Sequence, residues 1–401
     1  MISVNNNQQK VAPFPAATDL DAAYVRLALG VGQHVPGLVN SYWGPPGWRQ
    51  AVIDDPPSLA TLRNHAVTVA TAVQQSSLPP NRQKRLLRRV RALLWLIRSL
   101  NNEHIIFSEQ VRMLLDVQPE SVDAAFFQAA HEMLTAVLPG DGSLTERWTA
   151  WQAANTIPVS KARTLLPSLL TELGALWQKD AQLRISPIAI SAAEGTEAIA
   201  YQPGELTLPA TRSIRLDRLF HLASRWGHGG VHSLLLAAKK RYGAGDGEEA
   251  VWLNLGPDQL LAQGLSLAWL PSLNLYESAI PELLELAGET AVPAAELQAI
   301  HLAEDALQWT LANAAILLHG EQLRPRAVRR YLMANALCDQ ETAVAHLEHL
   351  NNPIKAAHAF APLIGGPLIQ AWLAMDDHCL NDMLTDPPVP STLVFAVRFG
   401  E

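Results

Sequence analysis

The 401-residue sequence predicts a mainly α-helical protein that carries a small antiparallel β-sheet. Three observations predict it. Apolar residues recur at three- and four-residue intervals along most of the chain, the period of helices with one buried face. Hydrophobic residues make up 49 % and charged residues 17 %, which supplies a sizeable core and excludes a mostly disordered chain. Turn formers crowd into one stretch, Ile185 to Ile214, between short β-leaning runs.

Taken in order, helical spacing covers about 18–33, 58–77, 80–101, 119–137, 143–154 and 160–182, with Pro, Gly or Asn between the segments. Ser121, Ser143 and Ser160 stand at N-cap positions, and Asp123 and Glu146 favour a helix start through the positive end of the helix dipole. The basic run RQKRLLRRVR (Arg82 to Arg91) interleaves Leu86, Leu87 and Val90 at helical spacing and reads as the solvated face of an amphipathic helix. From Ile185 to Ile214, Pro187, Gly195, Pro203, Gly204 and Pro209 bound the runs Ile188–Ser191, Ala198–Tyr201 and Glu205–Leu208, read as the antiparallel sheet. Helical spacing resumes near Leu216 and continues to about Leu384. Within it, the uncharged stretch Ala356 to Met375 is interrupted by Pro362 and by Gly365-Gly366-Pro367. That predicts two short buried helices rather than a membrane span. The tail TDPPVPSTLVFAVRFGE reads as proline-rich and then strand-like. The expected organisation is a helical N-terminal region over 1–184, then the β insert and a helical C-terminal region over 185–401, as one continuous unit. No self-similar period suggests a repeat array.

Charge and cysteine usage narrow the function classes. Lys and Arg total 30 against 38 Asp and Glu, a net charge of −8, the wrong sign for a general nucleic-acid binder. Cys338 and Cys379 stand alone, which excludes a disulfide framework or a cysteine-rich zinc site. The opening MISVNNNQQK has no charged-then-apolar signal pattern, so the expected residence is cytoplasmic, away from membranes.

The segment HLASRWGHGGVHS (His221 to Ser233) is the one that suggests chemistry. It holds three of 13 histidines. His228 and His232 are spaced i, i+4, which on a helix puts two imidazoles on one face as a zinc ion requires, and His221 would share that face. The position after His228 is Gly229, so no general-base glutamate accompanies it. Gly227, Gly229 and Gly230 cost about 1 kcal/mol each against helix formation. A zinc site on His221, His228 and His232 and ordinary packed histidines both remain open. Other candidates are weaker. HEMLT (His131 to Thr135) has Thr where a second His is needed. His301 and Glu304 share a helix with Asp305, and Glu277 and Glu282 lie upstream as further carboxylates. His346 and His349 read as exposed neighbours. Gly243, Gly245 and Gly247 match no phosphate-binding loop, and Gly-x-Ser-x-Gly is absent.

Here a resemblance enters. The segment is similar to that of an uncharacterised bacterial family related to gluzincin-type zinc metallopeptidases, whose members carry His-Leu-x-x-His-Glu-Ala-Tyr-Pro-Gly-His-His and, further on, Pro-x-x-x-x-x-Glu-Gly. HVPGLVNSYWGPPGWRQAV (His34 to Val52), LPGDGSLTERWTAW (Leu138 to Trp151), LNNPIKAAHAF and LIQAWL also resemble family segments, so the likeness runs from about Asp19 to Leu384. It implies a helical fold with a small antiparallel sheet beside the motif helix. It also implies that Trp43, Trp48, Trp226, Trp252 and Trp269 lie near the cleft.

The departures carry the functional expectation. Setting His221-Leu222 on the family's His-Leu and Gly230 on its Gly places Arg225 and Trp226 on the His-Glu pair. Val231-His232 falls on the His-His pair, Gly229 on the Pro, and Gln263 on the downstream Glu. A catalytic zinc takes three protein ligands and a water. Arg225 has no lone pair to donate and repels a divalent ion. Trp226 has no carboxylate to accept a proton, and Gln263 is neutral. The resemblance therefore implies a degenerate, non-catalytic member without a cofactor, whose cleft binds a ligand or peptide. A zinc hydrolase rebuilt on His228, His232 and His221 with Glu277 or Glu304, and a purely structural interaction protein, are the alternatives. If the cleft persists, Arg225 should point toward His232 and Gln263 and pair with an anion or with Glu248, Glu249 or Glu277.

Overall fold

The computed structural model describes residues 19–181, 186–194, 199–210, 213–273 and 293–399. In chain order the elements begin with α1 (Leu20–His34), β1 (Val39–Tyr42), α2 (Pro46–Asp54), α3 (Leu59–Gln74) and α4 (Pro80–Leu100). Next come α5 (Phe107–Leu115), α6 (Ala124–Val137), α7 (Leu144–Ala154), β2 (Thr156–Ile157) and α8 (Val159–Ala181). The strands β3 (Ala189–Ala193), β4 (Ala200–Gln202), β5 (Glu205–Pro209) and β6 (Ile214–Arg215) precede α9 (Leu219–Trp226) and α10 (Val231–Ala244). After β7 (Val251–Leu253) follow α11 (Pro257–Trp269), α12 (Ala294–Ala315), α13 (Pro325–Asn335), α14 (Gln340–Asn351) and α15 (Pro353–His358). The last are α16 (Phe360–Leu373), α17 (Cys379–Thr385) and α18 (Pro390–Phe399). The fold is mainly α with a small, largely antiparallel β component. The chain divides into two compact units, one of Met1–Glu103 with Ala238–Asn254 and one of His104–Ala237 with Leu255–Glu401. The boundary expected at 184/185 falls inside the second unit.

The first unit is built around α1, buried on every side from Ala22 to Val31. Asp19 caps this helix through the Ala22 amide at 3.1 Å. Strands β1 and β7 pair antiparallel beside it. Here the basic run departs from expectation. Arg85 and Arg89 of α4 are buried, each only 3 % exposed. They turn inward because Glu249, fully buried, waits there: Arg89 reaches its carboxylate at 3.1 Å, and Arg85 and Arg241 reach it at 3.4 Å. Burial alone would raise the Glu249 pKa, yet the Arg89, Arg241 and Arg85 cations bring it down to about 2. Arg82 similarly clamps Glu248, Asp21 and Asp246. Four cations facing buried acids satisfy charges that would be costly alone.

In the second unit α6 packs on α12, α8 on α9, and α11 on α16. Helix α7 begins at the expected Ser143, which forms a full capping box with Glu146. Asp123, not Ser121, caps α6 through the Phe126 amide, and Ser160 lies inside α8. The sheet differs from expectation in one strand. Its order is β3-β5-β4, with β4 antiparallel to β5 but β3 parallel to it. The turn at Gly204 allows the first pairing, whereas β3 starts beside the start of β5, with Ala189 opposite Glu205, and runs alongside it in the same direction. The helix pair expected over 356–375 divides at Ala359 instead of at Gly365-Gly366-Pro367, which lie within α16. There Gly365 brings α16 backbone-to-backbone against Gly264 of α11, where a Cβ on Gly264 would sit 2.5 Å from Gly365, while Gly366 leaves room for the Leu267 side chain. Close packing offsets the poor helix propensity of Gly and Pro. The tail forms α18 rather than a strand, with Pro390 opening the helix, the Ser391 amide donating to Asp116 at 3.0 Å, and Leu393 and Ala396 buried at helical spacing.

Candidate functional site

The motif segment folds as two helices, not one. α9 ends at Trp226, a tight turn covers residues 227–230, and α10 begins at Val231. Gly229 adopts φ +85°, the left-handed region that only glycine enters without strain. A Cβ on Gly230 would overlap the carbonyls of Ser224 and Arg225 at 2.4 Å. The expected face of three histidines therefore does not form. His228 lies in the turn, edge-on to His232 with ring centres 5.2 Å apart, while His221 on α9 packs edge-on against His301 at 5.1 Å.

His232, the one family histidine retained, has both ring nitrogens engaged. Its Nδ1 shares a hydrogen bond with the Tyr201 hydroxyl, which also accepts from the Gly204 amide, and its Nε2 shares one with the Ser186 hydroxyl at 3.0 Å. Burial raises the Tyr201 phenol to about 12 and lowers both His228 and His232 to about 4, so all three are uncharged at neutral pH. His232 offers no free lone pair. Among the described residues no group of three His, Cys, Asp or Glu side chains could hold a metal ion. The residues as placed do not fit a zinc ion.

Arg225, Trp226, Gln263 and His221 meet in a cavity of about 260 Å³ in the second unit. Val231, His228 and His232 are buried but are not among its lining residues. Arg225 Nη2 donates to Gln263 Oε1 at 3.0 Å, as expected, and its guanidinium lies over the Trp226 ring at 5.6 Å. It does not reach His232. Arg225 is open to water at the mouth of the cavity while protein crowds its other sides, and this desolvation lowers its pKa. The expected acidic partner is absent among the described residues. Glu248 and Glu249 belong to the first unit and are held by its arginines, and Glu277 lies outside the described residues, as does Glu282.

Sequence reasoning missed the cluster of Arg215, Asp217 and Arg218 beside this cavity, which meets its wall at Arg218, Glu304 and Asp305. Asp217, fully buried, accepts a hydrogen bond from His301 Nε2 at 2.8 Å and from Arg215 Nε at 3.1 Å. Burial would raise its pKa, but His301 and Arg215 hold it well below the ordinary carboxylate range. Glu304, a candidate metal ligand, is spent on Arg215 and Arg218, both at 2.6 Å, and Asp305 pairs with Arg218 at 3.1 Å. Arg215 in turn lies over the stacked rings of Trp148 and Trp151. The alternation of charge in Arg215-Leu216-Asp217-Arg218, at the mouth of an apolar helix, was the available signal. Of the five tryptophans expected near the cleft, Trp226 lines this cavity. Trp269 packs on Trp177 and donates to Asp180 at 3.0 Å, and Trp43, Trp48 and Trp252 belong to the first unit. His131 of HEMLT donates to the Asn335 carbonyl at 3.1 Å and ties α6 to the end of α13.

No family model matches the sequence, and no curated protein matches it. Among solved structures, the chain is similar to a candidate lipoprotein from Colwellia psychrerythraea, with a TM-score of 0.50 and 13 % identity over 93 % of this chain and 74 % of that one. It is also similar to a candidate lipoprotein of unknown function from Shewanella oneidensis, with a TM-score of 0.46 and 10 % identity over 94 % of this chain and 82 % of that one. The described residues contain no helix long and apolar enough to cross a membrane. The expectation of cytoplasmic residence does not stand, because the Colwellia chain, which shares the fold, is named a lipoprotein, a class located outside the cytoplasm.

Proposed function

We propose that the chain is a degenerate, non-catalytic relative of gluzincin-type metallopeptidases whose cleft binds a ligand or peptide instead of cleaving one. The observation that carries this reading is the Arg225–Gln263 hydrogen bond inside the cavity. The two positions that the resemblance assigns to a zinc ligand and a carboxylate hold a cation and a neutral amide bound to each other. A divalent ion beside that guanidinium would be repelled, and without one no bound water is brought toward neutral pKa for attack. The committed nitrogens of His232 support the same reading. We further infer an extracytoplasmic location, in keeping with the Colwellia lipoprotein's fold.

The test is metal content by plasma mass spectrometry on protein purified without chelator, with a peptidase assay on a mixed peptide library. The expected result is no stoichiometric zinc and no turnover. One zinc per chain together with hydrolysis that a chelator abolishes would overturn the proposal in favour of the rebuilt hydrolase.

A further inference from the structure

A second cavity of about 320 Å³ adjoins the first in the same unit and shares Arg225, Gln263, Gln308 and Pro362 with it. The character of the wall changes there. Lys355, His349 and His358 enter, and among the described lining residues there is no carboxylate. The remainder is apolar, with Leu255, Leu311, Leu350 and Leu363.

The charge balance of the two cavities is unequal. In the first, Glu304 and Asp305 are matched by Arg215 and Arg218. In the second, no described carboxylate lies within ion-pair distance of Arg225 or Lys355, and the hydrogen-bond partner of Arg225 is a neutral amide oxygen. Gln263 occupies only one of the five N–H donors of the guanidinium. His358, on the same wall, has a buried Nε2 with no hydrogen-bond partner. A guanidinium at a cavity mouth with no carboxylate beside it among the described residues keeps N–H donors available for an anion. A guanidinium fork matches the two oxygens of a carboxylate, and leucine walls favour an apolar body.

We propose that this second cavity binds an organic carboxylate with an apolar body, the carboxylate on Arg225 and the body against Leu311, Leu350 and Leu363. The inference rests on reading the cleft as a binding site and names the class of ligand. Lys355 contributes charge from the same wall. A free organic acid and the C-terminus of an apolar peptide offer this chemistry equally.

Isothermal titration of the full chain with phenylbutyrate and with its neutral isostere phenylbutanol tests the inference. A second arm compares N-acetyl-leucyl-leucine with its C-terminal amide. Phenylbutyrate should bind and phenylbutanol should not. Arg225→Gln should weaken binding by about tenfold or more, Arg225→Lys should recover part of the loss, and Lys355→Gln should weaken it less. A leucyl-leucine acid that outcompetes both its amide and phenylbutyrate assigns the peptide source; the reverse order assigns the free acid. Equal binding of phenylbutyrate and phenylbutanol, or affinity unchanged in both Arg225→Gln and Lys355→Gln, overturns the inference. Lys355 is on the surface, so its variant carries the test should Arg225→Gln fail to fold. Carboxylate binding that ignores both cations leaves the binding reading of the cleft intact, whereas zinc-dependent cleavage removes that reading while the Arg225 titration still reports separately.

Discussion

At the scale of single residues, position and neighbours decide what a histidine does. His228 and His232 were candidates for zinc because of their spacing, yet each is buried and neutral, held at about 4 by desolvation. An ordinary histidine titrates near 6.5. Between those values the unfolded chain takes up protons that the folded one refuses. The stability contributed is therefore complete above pH 6.5 and is lost as pH falls toward 4. Each of the two should subtract about 1 kcal/mol of unfolding free energy per pH unit across that window. Urea unfolding followed by tryptophan fluorescence at a series of pH values checks this, and His228→Gln should flatten the slope. Stability that stays level from neutral pH down to pH 4.5 would refute it. The residue chemistry was only partly legible in the sequence. That Arg225 cannot ligate a metal follows from its guanidinium, and its partner Gln263 followed from the resemblance. That His221 turns to His301 and His232 to Tyr201 depends on the turn at Gly229 and on strand β4, contacts that no local spacing encodes.

At the scale of elements, the helices whose burial is one-sided were the readable ones. Segments such as α3 and α6 have a single apolar stripe, and the sequence periodicity reports it. The misreadings fall where a tertiary contact overrides local preference. Arg85 and Arg89 look solvated until Glu249 is placed against them. Gly365-Gly366-Pro367 looks like a break until α11 is seen crossing α16 at Gly264. That crossing is testable. A methyl group on Gly264 meets Gly365 backbone atoms at 2.5 Å, and backbone cannot step aside as a side chain can. Gly264→Ala should destabilise the protein by about 2 kcal/mol or more, read from the urea midpoint. Gly243→Ala, where nothing lies within 4 Å, should leave stability level or slightly higher because alanine is the better helix former. Equal midpoints for the two variants would remove the crossing as an explanation.

At the scale of the whole molecule, the fold class was legible because composition and periodicity agree over hundreds of residues. The compartment was not, since it rested on one short stretch of terminal sequence. The proposed extracytoplasmic location is open to fractionation of cells that express the protein from its own gene. Recovery with periplasmic or membrane markers is expected, and recovery with cytosolic enzymes would overturn it. The discontinuous first unit has a further consequence for how the chain comes into being. Arg82, Arg85 and Arg89 leave the ribosome early, while Glu248 and Glu249, about 160 residues later in the sequence, are still unmade. Until those acids arrive, α4 holds a row of cations that cannot be buried without counter-charge. The beginning of the protein thus has to wait, loosely ordered, for its middle to be translated, and a ribosome stalled before residue 249 holds a nascent first unit that cannot close.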